Sequence, residues 1–162
     1  VLVSFFVNQY SFLLIAAGLA FVAGLVLLSR NPKWNDWLAF GVILGGLVTA
    51  WITMHPRQTP LMDDARMVQE MIGAGKPVLL EFQSPYCIGC TAIKPVVDGL
   101  EEELGDEIYI IRLNIQESVG RELAPVYGFE FTPTFIFFDA QGNELWRSVG
   151  ELDPQKVRDS LK

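Results

Sequence analysis

Phe82-Gln83-Ser84-Pro85-Tyr86-Cys87-Ile88-Gly89-Cys90 follows the apolar run Val78-Leu79-Leu80 and contains both cysteines of the 162-residue chain. A dithiol with two intervening residues can close a disulfide within one helical turn. With Cys87 at a helix N-terminus, the helix dipole and the free backbone N–H groups stabilise its thiolate, which is the nucleophile of disulfide exchange. Cys90, one turn further in, then resolves the mixed disulfide. On this reading Cys87 is the more exposed and more reactive thiol. A metal site needs two more ligands, yet the chain has no third cysteine and a single histidine, His55, 32 positions upstream of Cys87. The other alternative is a pair of buried structural cysteines. Redox chemistry leads.

The charges around this stretch are unevenly spread. From Val1 to Pro56 the charged residues are Arg30, Lys33 and Asp36, a net of +1, whereas Arg57 to Lys162 carries 10 basic and 18 acidic residues. That second part has a net of −8, which with the first gives the chain's −7. The split suggests lipid around the first third and water around the rest. An acidic soluble part argues against nucleic acid, whose phosphates need clustered Lys and Arg.

Tyr10 to Leu28 is a run of 19 uncharged residues, roughly 28 Å long as a helix and able to cross a hydrocarbon core. Val1 to Gln9 is also uncharged, so the span can begin earlier. Ser29 to Asp36 is a polar turn containing Pro32. Trp37 to Met54 is a second uncharged run, of 18 residues, with Trp34, Trp37 and Trp51 near its ends, where aromatic rings favour the headgroup level. The expectation is a transmembrane hairpin over residues 1–56, with spans at about 10–28 and 37–54. A cleaved signal peptide fits poorly, because no basic leader or clear cleavage site is present and a second span follows. Gly41 and Gly45 form a small-xxx-small pair with Gly46 beside it, a face on which the first span or another membrane subunit can pack.

Beyond the linker His55 to Pro60, residues 57–162 read as a soluble domain. Leu61 to Ile72 has helical spacing and ends at Gly73 and Gly75. Pro77 to Phe82 reads as a buried strand, about Cys87 to Leu104 as a helix interrupted by Pro95, and Glu107 to Ile115 as a second strand. Glu101-Glu102-Glu103 reads as a solvated face. Ser118 to Tyr127 is a helix closed by Gly128. Thr134 to Asp139 and Glu144 to Val149 are strands joined by a turn at Gly142. Asp153 caps a last helix that opens at Pro154 and runs to Leu161.

This order of elements, with Cys87-Ile88-Gly89-Cys90 after the first strand and Thr132-Pro133-Thr134 before the third, resembles the thioredoxin family. Leu113-Asn114-Ile115, Ala124-Pro125, Tyr127-Gly128, Val149-Gly150 and Pro95 extend the match over about Arg57 to Lys162. The resemblance implies an α/β, thioredoxin-like fold: a central mixed sheet of about four strands flanked by helices, here preceded by the two-helix hairpin. It implies a redox dithiol at Cys87 and Cys90 and a cis-proline loop at Thr132-Pro133 that faces it. Tyr86, Ile88, Gly89, Thr132 and Pro133 are then the substrate-binding positions. Glu81 matches the family's buried acid, which can take the proton of Cys90 through water. Arg112 stands where the family has a lysine; being always charged, it is expected to keep Glu81 ionised more firmly than a lysine would, the equal alternative being a surface strand residue.

Departures from the family pattern carry information too. Tyr86 replaces the usual Trp, Ile88-Gly89 the usual Gly-Pro, and Gln83 a common aromatic, while the opening β-strand has no clear counterpart. Without His or Pro between the cysteines, the dithiol lacks the positive charge of strongly oxidising relatives, which favours a reductant or mild exchange catalyst. The expected protein is a membrane-anchored thiol–disulfide oxidoreductase acting on protein thiols and disulfides, with no metal and no cofactor beyond its own dithiol. Arg30 and Lys33 in the short turn favour a cytoplasmic turn and an extracytoplasmic domain. The competing class is a non-catalytic accessory subunit of a larger membrane complex, electron-transfer complexes included, that uses the domain for docking.

Overall fold

A computed structural model describes residues 2–29, 31–60 and 64–162 of the chain. Three helices come first: α1 (Leu2–Gln9), α2 (Ser11–Ser29) and α3 (Trp34–Met54). The last two are long and apolar enough to cross a membrane, and none of the residues in those stretches is buried within the protein. The first span does not extend back as one helix through residues 2–9, because the helix is interrupted at Tyr10. There the Phe12 N–H leaves the helical pattern and donates to the Tyr86 carbonyl at 2.9 Å. At the other end of the turn, α3 starts three residues before the uncharged run. Asp36 makes this possible by accepting the Lys33 N–H at 2.8 Å, an acidic group at a helix N-terminus. Arg30, counted in the basic turn, lies outside the described residues. Gly41, Gly45 and Gly46 do not pack against the first span: a Cβ at any of them would meet nothing within 4 Å.

The remaining elements are α4 (Ala65–Met71), β1 (Val78–Gln83), α5 (Ile88–Leu104), β2 (Tyr109–Asn114), α6 (Ser118–Val126), β3 (Thr134–Phe138), β4 (Glu144–Val149) and α7 (Pro154–Asp159). The four strands form one mixed sheet in the order β2-β1-β3-β4. β1 runs parallel to β2 and antiparallel to β3, and β4 is antiparallel to β3. Alternation along the strands divides the core into two layers. Leu80, Phe82, Leu113 and Ile136 pack with Val68 of α4 and Leu123 of α6 on one face. Leu79, Phe135 and Phe137 pack with Val97 and Leu100 of α5 and Val157 of α7 on the other.

Element ends differ from the sequence expectation by a few residues, each for a local reason. α4 begins at Ala65 because the Asp64 carboxylate caps it through the Arg66 N–H; Leu61, its expected start, lies outside the described residues. β1 begins and ends one residue later than expected, since Gln83 still pairs with Asn114. β2 is shorter, because the Glu107 and Ile108 N–H groups bond back to Leu104. α7 stops at Asp159, where Ser160 caps it. Glu101 and Glu103 are not simply solvated: they pair with Arg112 and Arg158. The linker also has structural work. Thr59 exchanges hydrogen bonds with Arg112 (N–H to O 3.0 Å, Oγ1 accepting the Arg112 N–H at 2.8 Å), and the Gln58 side chain accepts the Asn114 N–H at 3.0 Å. Residues 57–60 thus cover the free edge of β2, which lacks a neighbouring strand.

Candidate active site

Cys87 is the N-cap of α5, its backbone extended and its own N–H bonded to Ser84 at 3.2 Å. The Cys90 N–H, one of the donors that a helix start leaves unpaired, points at the Cys87 sulfur at 3.2 Å. In its thiol form the same sulfur donates to the Thr132 carbonyl at 3.6 Å. The Thr132–Pro133 peptide bond is cis. A Cβ built on Gly89 would lie 3.4 Å from Pro133 Cδ and 3.8 Å from the Cys87 sulfur, so the helix start, the sulfur and the proline loop meet at one point.

The two sulfurs are electrostatically unequal. Hydrogen bonds from the Cys90 side chain first, then with Thr132 and from the backbone N–H groups of Cys90 and Gly89, hold the Cys87 pKa at about 6 despite burial. Burial first, and then the hydrogen bond to Cys87 and its negative charge, push the Cys90 thiol far up. At neutral pH the arrangement offers one thiolate beside one thiol that keeps its proton.

Glu81 lies on β1 and is buried, 2% exposed. Desolvation raises its pKa to about 7; the Arg112 charge opposes this, while the charges of Asp98, Cys87 and Glu101 add to it. The expectation that Arg112 keeps this carboxyl firmly ionised is therefore corrected. Arg112 directs Nη1 to Asp98 (2.7 Å) and Nη2 to Glu101 (2.9 Å), leaving only Nε facing Glu81 at 3.7 Å. Burial outweighs that distant charge. Glu81 is consequently near half-protonated around neutral pH, and its charge, where present, helps raise the Cys90 pKa.

Cys87 is the more exposed of the two thiols only marginally. Both thiols are free and buried, Cys87 at 1% and Cys90 at 0% exposure. Residues 8–12 bond to the residues that surround the dithiol. Asn8 bonds Thr132 through both ends of its carboxamide, the Gln9 carbonyl accepts from Ser84 Oγ at 3.0 Å, and Ser11 Oγ accepts the Ile88 N–H at 3.1 Å. Tyr86 sits between the stacked rings of Tyr10 and Trp51, with centroids at 5.7 and 6.0 Å. Trp51 Nε1 also donates to the Pro85 carbonyl at 3.2 Å. Of the expected substrate-binding positions, Ile88 is open, at 48% exposure, Thr132 is buried, and Tyr86 is engaged by Tyr10 and by Trp51 of α3.

Sequence reasoning missed Asn8, Ser11 and Trp51 as neighbours of the dithiol. One signal was present, the polar pair Asn8-Gln9 inside an apolar stretch. His55 stacks on Trp51 at 4.9 Å and faces the Trp51 carbonyl with Nδ1 at 2.9 Å, a role at the end of α3. Among the described residues no group of three or more His, Cys, Asp or Glu is placed to hold a metal.

Comparison with known proteins adds an independent line. Residues 65–162 match the family model for a thioredoxin-like domain. The thioredoxin-like protein HCF164, chloroplastic, of Oryza sativa subsp. japonica is 30% identical over 101 residues, covering 62% of this chain and 38% of that protein. The match thus spans little more than a third of that relative. Thioredoxin of Pyropia yezoensis is 35% identical over 98 residues, covering 60% of this chain and 89% of that protein. The X-ray structure of Fasciola hepatica thioredoxin is similar with a TM-score of 0.47 at 24% identity, over 59% of this chain and 86% of that one.

Proposed function

The chain belongs to the thioredoxin family, and from that premise we propose that it is a membrane-anchored oxidoreductase exchanging its Cys87–Cys90 dithiol with disulfides of protein substrates. The observation that carries this reading is the Cys87 sulfur at the start of α5, 3.2 Å from the Cys90 N–H and facing the Thr132-Pro133 loop.

The steps balance as follows. The Cys87 thiolate attacks one sulfur of the substrate disulfide, breaking the S–S bond, and the other substrate sulfur leaves as a thiolate that takes a proton from water. Cys90 then loses its proton toward Glu81, directly or through water, and attacks Cys87 in the mixed disulfide. The second substrate thiolate departs and is protonated in turn. Two electrons pass to the substrate, and the protein is left with a Cys87–Cys90 disulfide. A carboxyl with a pKa of about 7 is suited to accept a proton and return it near neutral pH.

The test is whether the pair cycles. The reduced full chain in detergent, mixed with an excess of a disulfide-containing protein, then acid-quenched, denatured and alkylated, is expected to lose both alkylatable thiols stoichiometrically with substrate reduction. A pair that stays in one state throughout supports the docking-only class instead.

The two apolar helices anchor the domain in this reading, with the α2–α3 turn cytoplasmic and the domain extracytoplasmic, on the Lys and Arg bias of the turn. Protease added to right-side-out spheroplasts is expected to remove α7. Its complete protection until lysis reverses the topology.

A further inference from the structure

Asn8 places a carboxamide against a backbone amide and carbonyl as another peptide group would. Its Oδ1 accepts the Thr132 N–H at 2.8 Å and the Thr132 hydroxyl at 2.9 Å, and its Nδ2 donates to the Thr132 carbonyl at 2.9 Å. Reciprocal N–H and C=O bonding to a single residue is what a strand residue offers its antiparallel partner. Thr132 is left only 3% exposed, and its carbonyl is the one that the Cys87 sulfur also contacts. No edge of Thr132 remains for an incoming chain.

The flanking residues fix this contact from both sides. Ser84 Oγ holds the Gln9 carbonyl, Tyr10 OH donates to Gln116 at 3.1 Å while its ring lies on Tyr86, and Ser11 takes the Ile88 N–H at the start of α5. A sulfur that attacks a disulfide must be reached in line by a second sulfur, and a residue 1% exposed offers no such approach. The helix is interrupted at Tyr10, where the Phe12 N–H turns to the Tyr86 carbonyl, so residues 8–9 lie just before the start of the spanning helix.

We propose that the Asn8–Phe12 segment is a built-in occupant of the substrate-strand site, which an extended peptide flanking the target disulfide must displace. This rests on the exchange reading for its biological sense, but the occupant itself is a separate physical claim. The device makes the dithiol inert toward small disulfides and thiol reagents until a chain able to form the same backbone pairs replaces Asn8. It also ties access to the dithiol to the position of α2.

The test uses the reduced full chain in detergent and in lipid nanodiscs, alkylated with iodoacetamide at about pH 8.5. There Cys87 is fully thiolate, so the rate reports access. Asn8→Ala removes three hydrogen bonds to Thr132 and is expected to speed Cys87 alkylation at least about tenfold. Tyr10→Ala, which loosens the segment without touching Thr132, is expected to act in the same direction and covers the case in which Asn8→Ala misfolds. Exchange with a protein disulfide is measured alongside. Faster alkylation together with faster exchange supports both the occupant and the oxidoreductase. Faster alkylation while neither wild type nor variant exchanges keeps the occupant and removes the oxidoreductase reading. Unchanged alkylation in both folded variants overturns the occupant, whatever the exchange rate.

Discussion

Cys90→Ala is expected to stop turnover and to leave Cys87 covalently joined to its protein substrate. The first attack needs only the Cys87 thiolate, and the backbone N–H of residue 90 that points at that sulfur survives the substitution. The second attack is lost outright. Release then depends on external thiols, which cannot match the effective concentration of a group held one helical turn away, so turnover falls by about a thousandfold or more. Removing the Cys90 side chain also removes the largest of the hydrogen bonds that lower the Cys87 pKa. Trapping is therefore best done above neutral pH, where a larger share of Cys87 is ionised. Native membranes expressing Cys90→Ala should give mixed disulfides on non-reducing gels that collapse on reduction and are missing in Cys87→Ala. Equal adducts in the two variants, or wild-type turnover in Cys90→Ala, would refute the assignment of attacking and resolving sulfurs.

The parts of this site that could be read from sequence are those in which local chemistry dictates local structure. Two cysteines with helical spacing after a buried strand, and Thr-Pro-Thr ahead of another, each announce themselves within a few residues. The alternation in Val78 to Phe82 and in Thr134 to Phe138 likewise fixes which side chains enter each core layer. Properties set by distant residues stayed hidden. Asn8 and Thr132 lie 124 positions apart, and nothing in an uncharged N-terminal stretch says which loop it will cover. The protonation state of Glu81 was misjudged for a related reason. Position alone put Arg112 beside it, but Asp98 and Glu101 on α5 compete for the guanidinium and win the two short contacts. A charge census along a strand cannot anticipate that competition.

Glu81→Gln is expected to make the protein more stable above neutral pH and slower at its chemistry. In the unfolded chain this carboxyl ionises near 4.5, whereas in the fold burial holds it protonated until about 7. Below pH 4.5 both states are protonated and the group costs nothing. As pH rises from about 4.5 to 7 the unfolded chain releases the proton while the fold retains it, and stability falls. Above 7 both are ionised and the loss is constant, at about 3 kcal/mol from 1.36 kcal/mol per pH unit. Glutamine has nearly the same shape and does not titrate, so the stability gap between variant and wild type should open over that interval and then level off. Arg112 keeps its bonds to Asp98 and Glu101 in the variant, so no buried charge is stranded. Unfolding of the reduced full chain in detergent, followed at pH 5 and pH 8, measures the gap directly. The catalytic effect has the opposite sign: without an acceptor for the Cys90 proton, resolution of the mixed disulfide slows by about 100-fold. Mixed disulfide should then accumulate in Glu81→Gln while initial attack by Cys87 proceeds at nearly the wild-type rate. A gap of the same size at both pH values, or a variant that resolves as fast as wild type, would remove Glu81 from the proton path and leave it a buried acid with no part in exchange.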